Sequence, residues 1–213
     1  MENQAVTESA EKKKEVVSER DKRRRRLLDM TQISLFAVLM IVSARISLMA
    51  LPIPFSLQLL TAILSGLLLG PWKGALSQIL YLVMGLSGLP VFVSGGGPAY
   101  IFKPSFGFLL GFVVSALAAG LFSRLLIIAG KAAFRNYVVI LTAGTIALLL
   151  CYLMGAAYYY LYLTSFAPET AEKATFSGVA AMTIIPFIWK DFLLLIPLSE
   201  LSRRLIAIRK WIA

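Results

Sequence analysis

Between Met30 and Pro168 the chain contains no aspartate and no glutamate. Globular domains in water carry charges of both signs along their whole length, at about a quarter of all residues. Here 59% of the 213 residues are apolar and 15% are charged, so water is not the main solvent of the folded chain. A hydrocarbon core of about 30 Å asks for apolar runs of roughly 20 residues. Runs of that kind, separated by proline and glycine clusters, fall at residues 31–50, 56–70, 73–89, 105–129, 137–163 and 178–202. The pattern predicts an all-α integral membrane protein of six transmembrane helices. The second and third runs are short, and the third leads into Gly85, Gly88 and Pro90, so both are expected to be tilted, broken or backed by protein rather than lipid.

The formal charge of +10 does not point to nucleic acid, because the largest basic block is confined to the first 26 residues, through Lys12-Lys13-Lys14 and Arg23-Arg24-Arg25-Arg26. With the N-terminus cytoplasmic, seventeen of the 21 basic residues fall on the cytoplasmic side, as cytoplasmic segments prefer. The expected layout is a cytoplasmic basic leader at 1–29, a six-helix membrane domain at 30–205 and a basic cytoplasmic tail at 206–213, in a multi-pass protein of the cell membrane. The leader is not read as a cleaved signal, since the following run is span-length and lacks a small-residue cleavage site. Of the four remaining basic residues, Lys173 sits beside Glu169 and Glu172 in an acidic outer loop, which leaves Arg45, Lys103 and Lys190 unexplained by topology.

Small residues recur every fourth position, as Gly66, Gly70, Gly74, as Gly107, Gly111, Ser115, Ala119, and as Ala143, Ala147, Cys151, Gly155. Such ladders bring helix backbones together in lipid, and Cys151 is read as a packing residue on one of them. Histidine is absent, Cys151 is the single cysteine, and no Walker A loop occurs. A zinc site, a Ser-His-Asp arrangement, a carboxylate pair or a nucleotide-binding loop therefore cannot be assembled, no cofactor is expected, and any ATP is hydrolysed by a partner.

Ionisable residues at membrane depth are functional candidates because their burial costs at least about 2.5–3.5 kcal/mol. Asp191 is the first: it either contacts a ligand or neutralises Lys190 or another cation. Lys190 and Asp191 lie about 100° apart on a helix, so both need not face one pocket. The outer loop from Gly88 to Pro104 contains Gly95-Gly96-Gly97. N–H groups around Gly96 and Gly97 could converge on an anion, Phe92, Tyr100 and Phe102 offer apolar walls, and Lys103 a counter-charge. It reads as a lid or, more plainly, as a solvated connection. Arg45 is either a ligand contact or a snorkelling side chain. Gln58 stands at the mouth of the second helix, where an amide donates and accepts; Ser56, Gln78 and Tyr81 carry less weight.

Pro52-Ile53-Pro54-Phe55-Ser56-Leu57-Gln58, Gly66 to Gly70-Pro71, Tyr81 with Gly85, Gly88-Leu89-Pro90-Val91-Phe92, the glycine loop, and Lys103-Pro104-Ser105-Phe106-Gly107-Phe108-Leu109-Leu110-Gly111-Phe112 together resemble the BioY family, over about Ile33 to Arg204. The resemblance implies a substrate-binding S component of an energy-coupling factor transporter, with an S-component-like bundle, that takes up biotin and docks on a transmembrane T component carrying two ATPase subunits. It further implies that Lys103 pairs with the biotin carboxylate while Asp191 accepts from a ureido N–H, or that the ligand lies the other way and Asp191 acts through Lys190. Gln58, Tyr100 and Phe92 supply the amide and aromatic walls. Two positions depart from the family pattern. Pro186-Phe187-Ile188-Trp189-Lys190-Asp191-Phe192-Leu193-Leu194 lacks the family's lysine one turn after the acid, and the first helix offers Ser34, Ala37, Ser43 and Ala44 without a strict Ala-x-x-x-Ala docking pattern. The rival readings are an S component for another carboxylate-bearing vitamin such as pantothenate, and a membrane-embedded enzyme or assembly factor.

Overall fold

The computed structural model describes residues 2–48, 55–127, 133–166 and 175–212. Among them are six α-helices: α1 (Glu2–Arg45), α2 (Gln58–Leu69), α3 (Pro71–Leu86), α4 (Phe106–Ile127), α5 (Ala133–Phe166) and α6 (Phe176–Ile212). A two-residue antiparallel pair, β1 (Ser47–Leu48) with β2 (Phe55–Ser56), follows α1, and a 3-10 turn at Pro98–Phe102 precedes α4. The turn expected at Pro52-Ile53-Pro54, Lys131, and the acidic loop holding Glu169, Glu172 and Lys173 lie outside the described residues.

The bundle is all-helical, but its helices are not six equal spans. Windows within α1, α4, α5 and α6 are long and apolar enough to cross a membrane. By contrast, α2 has 12 residues and α3 has 16, or about 18 and 24 Å at 1.5 Å per residue, less than a hydrocarbon thickness. Their shortness follows from Gly70-Pro71. Gly70 takes φ +89°, a conformation side chains disfavour, and ends α2 with its N–H on the Gly66 carbonyl at 2.9 Å. Pro71 then opens α3 at the first helical turn, where no N–H is needed. One residue thus joins two helices into a hairpin, and α4 backs it on one side.

The first helix also differs from expectation. It is continuous from Glu2 and ends at Arg45 rather than near residue 50, so no break marks residue 29, where the leader was expected to meet the membrane domain. Phe36, Ala37, Met40, Ser43 and Ala44 form its buried stripe, at the spacing of one helix face. The Ser43 hydroxyl lies 2.7 Å from that of Thr61 on α2. Ala37, Ser43 and Ala44, considered above as part of a docking face, are thereby taken up inside the chain's own bundle; of that set only Ser34 is exposed.

The small-residue ladders are the helix contacts. A Cβ on Gly66 would lie 2.0 Å from the Ala116 carbonyl oxygen of α4, one on Gly120 2.4 Å from Pro71 N, and one on Gly111 2.8 Å from Cys151 Sγ on α5. Ser115 donates to the Ala147 carbonyl at 2.8 Å across the α4–α5 contact. In lipid these close approaches supply the dispersion energy that water-driven burial supplies elsewhere. Large apolar side chains such as Val38 and Val42 on α1 and Met182, Ile185 and Trp189 on α6 are exposed instead, as suits an apolar solvent.

Gly66→Ala is therefore expected to lower stability by about 1–3 kcal/mol through overpacking, seen as a lower midpoint in thermal unfolding of the detergent-solubilised protein. Gly178→Ala, whose added Cβ meets nothing within 4 Å, leaves that midpoint unchanged or higher.

Candidate functional site

The candidate site is a cavity between α2, α3, α4, α5 and α6, capped at one end by the loop before α4. Its apolar wall includes Phe108, Leu109 and Phe112 of α4, Leu59 of α2 and Phe187 of α6. Phe108 and Phe112 are one helical turn apart, so both point the same way from a helix that glycines hold close to its neighbours.

The charged end is built on α6. Val179, Thr183, Phe187, Asp191, Leu195 and Ser199 are its buried stripe, and Asp191 falls where that stripe passes the cavity. Lys190, one residue earlier, also faces inward. Its flexible four-carbon stem carries Nζ to 2.5 Å from Asp191 Oδ1. The two residues are 7% and 4% exposed, so the 100° between them does not separate their charged ends. Tyr152 of α5 donates its hydroxyl to the other oxygen, Oδ2, at 2.6 Å. Oδ2 thus has a hydrogen-bond donor and Oδ1 a counter-charge, as a buried carboxylate requires.

The end beneath the loop is aromatic and amide. Gln58 Nε2 donates to the Tyr81 hydroxyl at 2.8 Å, and Tyr81 donates to the Val91 carbonyl at 3.2 Å. Phe92 packs edge-on to Tyr81 at 5.4 Å between ring centroids and against Tyr100 at 4.5 Å. The lid owes its seat to Gly85: a Cβ there would fall 2.0 Å from the Phe92 ring.

The glycine loop is folded, and the N–H groups of Gly95 and Gly97 are bonded rather than bare. Phe92 and Gly95 exchange backbone hydrogen bonds at 2.9 and 3.2 Å, and the Gly97 N–H is held by the Gly85 carbonyl at 2.7 Å. Gly96 presses on the Leu89 carbonyl, where a Cβ would come within 2.0 Å. Gly96 and Gly97 therefore shape the lid from behind and do not line the cavity. Arg45 is likewise off the wall, donating to the Pro90 carbonyl. Lys103 sits above the lid, with Nζ 3.2 Å from the Ser94 carbonyl oxygen and 4.4 Å from the centroid of the Tyr100 ring; it borders the cavity without lining it.

Of the residues singled out from sequence, Gln58, Phe92, Tyr100, Lys190 and Asp191 come together on one cavity, joined by Tyr81. Gln78 faces away, its amide donating to Ser65 and Ser77 between α2 and α3. Sequence reasoning missed Tyr152, Ser105 and the α4 aromatics. Tyr152 follows Cys151 on a small-residue ladder, and a tyrosine next to a close helix contact was the available signal.

Helices that cross a membrane, enclosing an apolar chamber with a polar group at each end, define a multi-pass membrane protein that binds a small solute. The comparisons give that class a family. A BioY family model matches residues 12–210. The chain is 34% identical over 179 residues to the probable biotin transporter BioY of Lysinibacillus sphaericus, covering 84% of this chain and 86% of that one. It is 31% identical over 172 residues to the biotin transporter BioY of Thermotoga maritima, covering 80% and 91%. Its fold is similar to the crystal structure of the S-component for biotin from an ECF-type ABC transporter, with a TM-score of 0.69 over 86% of this chain and 93% of that one, at 23% identity. This chain belongs to the BioY family.

Replacing Asp191 alone by Leu strands Lys190 and is expected to destabilise the protein by about 3–5 kcal/mol, whereas the double change Lys190→Met with Asp191→Leu recovers most of that loss. Denaturant unfolding in micelles measures both. Equal losses would show that the pair is not coupled.

Proposed function

We propose that this chain is the biotin-binding S component of an energy-coupling factor transporter. The single observation that carries the reading is the chamber's polarity: a charge-compensated acid deep in the membrane, an amide and aromatics at the mouth, and apolar walls between. Biotin matches it end to end, with a ureido ring that donates and accepts, an apolar thiophane and chain, and a carboxylate.

The orientation follows from electrostatics. Asp191 with Lys190 and Tyr152 is already neutral as a cluster, so a carboxylate brought beside it would add an uncompensated charge at membrane depth. The neutral ureido ring therefore goes deep, with an N–H to Asp191, and the carboxylate lies outward beneath Lys103. In this reading Lys103 and the lid move together when the ligand enters. All six helices cross or enter the bilayer, both termini are cytoplasmic, and transport is driven by a T component and two ATPase subunits, since the sequence has no nucleotide-binding loop.

Calorimetric titration of the purified protein in detergent is expected to give tight binding of biotin, weaker binding of biotinamide, and no measurable competition by pantothenate. Competition by pantothenate would favour the other vitamin reading. In the same assay Lys103→Ala weakens biotin roughly 10- to 100-fold, the loss of one charge-assisted contact of about 1.5–3 kcal/mol, and leaves biotinamide little changed. Unaltered biotin affinity in that variant would place the carboxylate at the deep end.

A further inference from the structure

The binding chamber makes no use of the most concentrated charge in the molecule. Arg20 and Lys22 through Arg26 lie on α1 and are all exposed. Arg23, Arg24, Arg25 and Arg26 are consecutive, and at 100° per residue they point in four directions. They form a ring around the helix, not a stripe that one protein face could cover.

Two further features fix what surrounds that ring. Arg26 and Arg45, at the other end of the helix, are nineteen residues apart, about 28 Å along an α-helix, so they bracket one hydrocarbon thickness. Leu27, Leu28 and Met30, directly above the ring, are 57%, 51% and 64% exposed, as side chains turned to lipid are. The ring therefore sits at headgroup depth. Because α1 is unbroken there, the arginines cannot retreat from the interface independently of the span.

The acids near the ring leave most of its charge uncompensated: Asp21, three and four residues before Arg24 and Arg25, is one carboxylate beside four guanidinium groups and makes no ion pair with them among the described residues. Asp29 is paired with Lys73, Glu19 with Lys22 at 3.0 Å, and Glu200 of α6 with Arg203 and Arg204 at 2.6 and 2.8 Å. Among the described residues none of Arg23 to Arg26 has an ion pair. Like charges three and four residues apart, such as Arg23 with Arg26 and Lys22 with Arg26, repel along a helix unless something neutralises them.

We infer that this collar binds anionic phospholipid, each guanidinium engaging a headgroup phosphate in a planar two-bond contact, and so sets the depth of α1 in the membrane. A guanidinium suits this role because it stays charged and matches phosphate geometry, and basic residues next to a span are attracted to anionic leaflets.

Native mass spectrometry of the full chain, released from micelles doped with equal amounts of phosphatidylglycerol and phosphatidylcholine, reads the preference directly. The unaltered protein is expected to retain phosphatidylglycerol at least 10-fold over phosphatidylcholine, with R23Q/R24Q/R25Q/R26Q falling to below 2-fold and R23K/R24K/R25K/R26K in between. Biotin titration and thermal unfolding of each variant establish that the chamber is intact. If the glutamine variant is not obtained folded, the unaltered protein at 1 M NaCl serves instead and is expected to lose the preference through screening. Equal retention of the two lipids by the unaltered protein, a glutamine variant that keeps the preference, or displacement of the lipid by millimolar inorganic phosphate would each overturn the proposal, the last by pointing to a soluble anion as the ligand.

Discussion

Helix α4 lies against α2, α3 and α5 because one side of each contact lacks a side chain. At Gly66 the neighbour is the Ala116 carbonyl, at Gly120 it is Pro71, and at Gly111 it is Cys151. Lipid offers helices no hydrophobic drive to associate, so such contact distances supply the attraction. The rest of the architecture depends on them. The short α2–α3 hairpin is covered by α4, and the aromatic wall of Phe108 and Phe112 is carried on a helix whose position is set from three sides.

That rigidity makes the Asp191 cluster tenable. A carboxylate at 4% exposure in a chain with almost no other membrane acids must find its counter-charge locally, and it does so in the adjacent lysine and in Tyr152. The arrangement compensates the acid's charge while leaving a polar surface toward the cavity. A ligand group that replaces one of these donors must therefore offer a donor of its own, which is a chemical filter built from a stability requirement. The lid follows similar logic. The N–H groups of Phe92, Gly95 and Gly97 are paired within the loop and with Gly85, so this end of the chamber is closed chiefly by the packing of Phe92 on Tyr81 and Tyr100.

Much of this was legible in one dimension. Apolar runs, proline and glycine punctuation and the missing acids specify a helical membrane protein, because hydrocarbon tolerates few alternatives. The ladders marked the contacts, and Gln58, Phe92, Tyr100, Lys190 and Asp191 could be named from residue type and depth alone. Gly97 was placed differently from expectation because a free N–H cannot be told from a bonded one without the position of the Gly85 carbonyl. Tyr152 was missed for a related reason: its place beside Cys151 on a small-residue ladder marks a close helix contact, but not that its hydroxyl meets Asp191 of another helix.

The sequence by itself determined the solvent of this protein, the membership of its helices and the residue types available for binding, since these follow from composition and local spacing. Only the tertiary structure decided which of those residues share a cavity. That Lys190 and Asp191 face the same way, that Tyr152 meets them from another helix 39 positions earlier, and that Lys103 stands over the lid while Arg45 is tied to Pro90, all depend on how helices far apart in sequence rotate against one another. That rotation is set by the sum of many close packing contacts, which no single stretch of the chain contains.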